Sequence, residues 1–82
     1  MQKTIKTKYA KIISQKLIEI RKMAGLTQRA LAQKLEREHS FVAHYELCER
    51  RIDLAEFYQI CKACEVSPHQ EIKALIEIFD NV

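Results

Sequence analysis

Apolar positions recur at helical spacing in five stretches of the chain, which predicts an all-α fold of five helices. In the first, from about Tyr9 to Ala24, the residues Ile13, Leu17, Ile20 and Ala24 form a buried stripe and the lysines face water. Gly25, the only glycine, falls where a left-handed residue ends a helix without a Cβ penalty. The second helix begins at Thr27, whose hydroxyl can accept from a free backbone N–H, with Leu26 and Leu31 as a hydrophobic staple. Its Ala30, Leu31 and Leu35 point inward, and small Ala32 lets another helix cross closely. The third, about His39 to Leu47, buries Val42 and Tyr45 and turns His39, Ser40, Phe41 and His44 outward; Glu38 is a weak residue for its N-cap. The fourth carries a capping box, Asp53 with Glu56, and a staple of Ile52 with Phe57, followed by Ile60, Cys61 and Cys64. The fifth opens with Ser67 as cap, Pro68 at its first position and Gln70 at its third; Ile72, Leu75, Ile76 and Phe79 then run down one side. Each helix is too short to stand alone, so all five share one core.

Composition narrows the class. Eighty-two residues make one small domain, and a chain that is 48% apolar is not disordered despite 30% charged residues. No apolar run approaches membrane-spanning length and the start lacks the features of a secretion signal, which predicts a cytoplasmic protein without a membrane partner. The net charge of +3 conceals a gradient: +6 over residues 1–24, +1 over 25–51 and −4 over 52–82. One end suits a polyanion and the other does not. The folded domain is expected over residues 9–82. Residues 1–8 form a basic leading segment, either a disordered solubilising tail or, with Lys3, Lys6, Lys8 and Lys11, a source of non-specific attraction. Cys61 and Cys64 form a C-x-x-C pair without the second pair, or the two histidines, of a zinc site, so they are expected to be packed core thiols. Catalytic residues, cofactor and metal are all expected to be absent: His39 and Ser40 are neighbours on a helix and their side chains diverge.

The segments "IEIRKMAGLTQRALAQKL", "SFVAHYE" and "ERRIDLAEFYQICKACEVSP" occur in this order, and over residues 9 to about 80 the chain resembles the Cro/CI-type, XRE-like helix-turn-helix family. That resemblance implies a five-helix phage-repressor-like domain in which residues 27–35 cross the DNA backbone and 39–47 lie in the major groove. It implies base reading by His39, Ser40, Phe41 and His44, with Phe41 pressed against thymine methyls. Protonated His44 would favour phosphate, which ties binding to pH. Phosphate contacts fall to Gln28, Arg37, Arg50 and Arg51. Arg21 and Glu46 take the family's ion pair, which locks the first helix to the reading helix.

The chain departs from the family pattern at its corners. Glu36 replaces the usual corner glycine, Glu38 the usual Ser or Pro, and Cys48 the glycine after the reading helix. Left-handed geometry kept where glycine is replaced, at Cys48 after the reading helix, costs about 1 kcal/mol; otherwise the loops take another path or the third helix runs longer. Glu36, Glu38 and Glu49 also oppose general attraction to DNA. Two functions follow. One is a sequence-specific double-stranded DNA-binding regulator, such as a repressor, acting as a homodimer on an inverted repeat with Leu75, Ile76 and Phe79 as the seam. The other is a protein-interaction module, an antitoxin with a toxin partner or an adaptor, on a repressor scaffold with weakened DNA binding.

Overall fold

The computed structural model describes residues 7–82, which form five helices: α1 Lys8–Met23, α2 Gln28–Lys34, α3 Ser40–Glu46, α4 Leu54–Ala63 and α5 Pro68–Asp80. Lys8 lies inside α1, so the helical domain starts before residue 9; Lys3 and Lys6 lie outside the described residues. Three of the five helix starts are built by the caps expected from the sequence, Thr27, Asp53 and Ser67, and Thr7 supplies a fourth. Thr7, Thr27, Asp53 and Ser67 each accept a backbone N–H three residues on, from Ala10, Ala30, Glu56 and Gln70. Glu56 returns the bond to the Asp53 N–H at 3.0 Å, completing the capping box. Each cap is worth about 1 kcal/mol. The exception is α3: His39 precedes it with a right-handed helical backbone and makes no side-chain cap, and Glu38 contributes only its carbonyl, to the Phe41 N–H.

All four helices followed by another end in the same way. After α1, the N–H groups of Gly25 and Leu26 bond to the carbonyls of Lys22 and Arg21; after α2, those of Glu36 and Arg37 bond to Gln33 and Ala32. Cys48 and Glu49 repeat the arrangement on Tyr45 and His44, and Glu65 and Val66 on Lys62 and Cys61. These paired bonds are Schellman caps, which need a left-handed residue at the first position past the cap. Gly25 supplies one at φ +74°, but Glu36, Cys48 and Glu65 adopt φ of 57°, 60° and 61° with a Cβ in place. The corners therefore keep the turn geometry for which glycine is the usual solution. At Cys48 the side chain offsets part of the strain: it is buried, and its thiol lies 3.2 Å from the Ser14 hydroxyl.

The turns fold α1 against α3 and α5, α2 against α3 and α4, and α4 against α5. One core results, from Leu17 and Ile20 of α1, Leu31 and Ala32 of α2, Phe41, Val42 and Tyr45 of α3, Phe57, Ile60 and Cys61 of α4, and Leu75 of α5. Buried Ser14 donates to the Tyr45 carbonyl at 2.7 Å, so the last turn of α3 is satisfied from α1. Cys61 and Cys64 are buried free thiols, and burial foremost pushes Cys61 up to about 11, as expected of packed core thiols.

Glu36 and Glu65 are exposed, so glycine removes their strain without opening the core. Glu36→Gly and Glu65→Gly should each raise unfolding stability by about 0.5–1 kcal/mol, net of the extra entropy of the unfolded chain. In a domain of this size that is a rise in Tm of several degrees, readable by circular dichroism. Cys48→Gly should show no such gain, because it also empties a buried site.

Candidate nucleic-acid interface

The position of α3 is set by one carboxylate. Glu46, with its side chain 5% exposed, accepts from Arg21 Nε at 2.7 Å on one oxygen. Its other oxygen accepts from Arg21 Nη2 at 3.1 Å and from the Gln28 amide at 2.8 Å. Arg21 also donates to the Leu26 carbonyl at 2.9 Å, in the turn between α1 and α2. Thus α1, the start of α2 and the end of α3 meet at one part-buried ion pair. Arg21 and Glu46 pair across α1 and α3, and Gln28 joins them; its amide keeps a second N–H beyond the one given to Glu46.

The outer side of α3 follows from its seven-residue length. Ser40, Ala43, His44 and Leu47 share one side at three- and four-residue spacing. Ser40, His44 and Leu47 are exposed, and exposed His39 adjoins them at the N-cap. Three of the four expected base readers, His39, Ser40 and His44, therefore stand together on an open surface.

Phe41 does not. It is 2% exposed, its ring meets Tyr45 edge-on at 5.3 Å, and it belongs to the core. The physical reason is its register: Phe41 lies four residues before Tyr45 and one before Val42, on the buried side of the turn. A thymine methyl cannot reach it. The apolar group on the open side is Leu47, 61% exposed, which the sequence pattern had placed only at the helix end.

Two arginines close over Phe41. The guanidinium carbons of Arg37 and Arg50 lie 3.8 and 4.9 Å from its ring centroid. Both arginines also reach Glu56 on α4: Arg50 through two bonds of 3.0 and 2.8 Å, Arg37 through one of 3.3 Å. Hydrogen bonds from Arg50 foremost, then from the Asp53 N–H and Arg37, outweigh the burial of Glu56 and hold its carboxyl at about 2. Arg37 and Arg50, expected on phosphate, are thus gathered with Glu56 in a part-exposed cluster, and Arg51 is exposed. The expected seam on α5 also changes: Leu75 is 5% exposed and belongs to the core, Phe79 is half-buried with its ring edge-on to Tyr9, and Ile76 is 50% exposed. Among the described residues no group of His, Cys, Asp and Glu side chains could hold a metal ion, and no helix is long and apolar enough to cross a membrane.

A short helix braced across a second one, with a polar open side flanked by arginines, defines a helix-turn-helix protein. Residues 13–75 match the family model described as a helix-turn-helix domain. An XRE-family like protein from Pseudomonas syringae pv. tomato str. DC3000 is 34% identical, with 85% of each chain covered and a TM-score of 0.80. This chain belongs to the XRE-type helix-turn-helix family. The restriction-modification controller protein C.AhdI from Aeromonas hydrophila is 26% identical over 76% of this chain and 94% of its own, at a TM-score of 0.68. The controller C.Esp1396I, solved as a tetramer with its natural 35 base-pair operator, is 25% identical over 88% of this chain and 95% of its own, at a TM-score of 0.77. None of the curated proteins compared with the chain matches it.

Two outcomes follow from the ion pairs. Arg21→Met should cost about 3–5 kcal/mol in urea unfolding, because it strands the Glu46 carboxylate, and adding Glu46→Leu should recover much of the loss. For Glu56, a folded value of about 2 against the ordinary 4.5 means stability fully present above 4.5 and lost as pH falls through that range. Glu56→Gln should therefore be less stable than the parent at neutral pH, and the gap should shrink between pH 4.5 and 2. A gap that stays constant over that window would show that the carboxylate is not held as described.

Proposed function

We propose that this chain is a sequence-specific double-stranded DNA-binding regulator of transcription in which α3 enters the major groove. The observation that carries this reading is the open side of α3, where His39, Ser40, His44 and Leu47 project from a helix fixed by Arg21, Gln28 and Glu46. Each group has a use in a groove. A neutral imidazole can donate and accept at a base edge, a hydroxyl can do either, and an exposed leucine suits a thymine methyl. The free amide N–H of Gln28 and the guanidinium of Arg51 suit phosphates, which set register without reading sequence.

One such module contacts little DNA, so the reading includes a homodimer on half-sites about 34 Å apart, one helical turn. The operator-bound tetramer of C.Esp1396I supports action in more than one copy. Ile76, exposed on α5, is the candidate for the seam in place of the buried Leu75.

Selection from random duplexes with purified protein tests the reading. The expected product is an inverted repeat, and recovery of no preferred sequence would remove the regulatory role. On the selected site, His39→Ala should relax preference at one base position of each half-site, at a loss of about 1–3 kcal/mol there. Arg51→Ala should instead weaken binding to all sequences alike and lower the slope of log affinity against log salt by about one.

A further inference from the structure

We propose that Glu56 is a positioning residue for DNA binding: from α4 it holds Arg37 and Arg50 on the Phe41 ring as a two-guanidinium fork for a backbone phosphate. This rests on the DNA-binding reading above. An acidic residue near a DNA-binding surface is ordinarily a liability, so the observations on the cluster must outweigh that expectation.

They do so on three counts. The first is placement: Arg37 precedes α3 and Arg50 follows it, yet both meet the same Glu56 oxygen, at 3.3 and 2.8 Å. One carboxylate thus gathers cations from both ends of the proposed reading helix. The second is unspent capacity. A guanidinium has five N–H donors; Arg50 uses three, two on Glu56 and one on the Arg51 carbonyl, and Arg37 uses one. With side chains 32% and 36% exposed, both can present the remainder to an incoming anion. The third is the charge of the unit: two guanidiniums and one carboxylate leave a net positive charge beside the ring.

Glu56 could instead act as a competitor that phosphate displaces. Its burial argues against that. With its side chain 13% exposed and one oxygen also taken by the Asp53 N–H, a displaced Glu56 would be an unpaired carboxylate among buried neighbours. A phosphate is better accommodated beside Glu56 than in its place. Phe41 then serves the interface indirectly, as the platform on which both planar guanidiniums rest.

The test exploits opposite signs. Removing an acid by charge alone strengthens attraction to DNA, so Glu49→Gln, an exposed acid between α3 and Arg50, should tighten binding to mixed-sequence duplex DNA. Glu56→Gln should weaken it about tenfold, and the slope of log affinity against log salt should fall by about one to two. In a Glu56→Gln background, Arg50→Ala should add little further loss. Equal or tighter binding by Glu56→Gln, with the fold intact by circular dichroism, overturns the proposal. Should that variant not fold, Arg50→Lys keeps the charge but loses the fork; it should bind about fivefold more weakly, and unchanged affinity overturns the proposal equally. Failure of the parent protein to bind duplex at any salt would instead overturn the DNA-binding reading itself.

Discussion

The arrangement of this domain depends on a single buried carboxylate. Glu46 collects three N–H donors from two other elements, and its own backbone is the last turn of α3. Helix α3 has seven residues, no side-chain cap and no independent stability. Hydrophobic burial of Val42 and Tyr45 keeps it in the core, but burial is non-directional and tolerates a small roll of the helix. A bidentate guanidinium is far less tolerant, because both of its bonds lengthen or bend with any rotation. The pair therefore does less for overall stability than for angular precision, and angular precision is what an outward row of side chains needs.

A second polar cluster fixes the opposite edge of the same helix. Arg37, Arg50 and Glu56 surround Phe41, so the aromatic ring is covered by cations rather than by a further apolar helix. A domain of this size has little apolar surface to spare, and arginine stems and guanidinium planes are an economical roof. Glu56 serves the capping box of α4 and the two arginines together. The start of α4, the corner before α3 and the loop after it are thus coupled through one side chain.

Much of this was legible in the sequence because it is local. Thr27, Asp53 with Glu56, and Ser67 with Pro68 announce helix starts within three or four residues, and the observed caps fall on them. Arg21 with Glu46 was legible by resemblance. The misplacement of Phe41 is instructive: a seven-residue helix makes two turns, and an aromatic between Ser40 and Val42 suits either boundary. What places it is its register with Val42 and Tyr45 on the buried side, and Arg37 and Arg50, arriving from outside the helix, then cover the ring. Leu75 was ambiguous in the same way, since a run of Ile, Leu and Phe on α5 has more apolar residues than one buried stripe requires. The corners were left open between left-handed geometry and another path, and the structure keeps the left-handed geometry. Glutamate and cysteine give no sign of positive φ, yet the Schellman bonds impose it, and satisfying two backbone carbonyls outweighs a strain of about 1 kcal/mol.

The same reasoning bears on how so acidic a corner can belong to a DNA reader. Glu46 and Glu56 are both spent on arginines, so their charges do not act at the surface as free anions would. Those that remain exposed, Glu36, Glu38 and Glu49, lie in the turns on either side of α3 rather than on its open side. Acids there reduce the general attraction of any duplex, while the histidines, serine and leucine between them keep whatever base contacts they make. Non-specific binding scales with phosphates neutralised, whereas discrimination comes from base edges. Subtracting charge at the flanks therefore weakens binding to all sequences alike and leaves discrimination between sites to the base contacts.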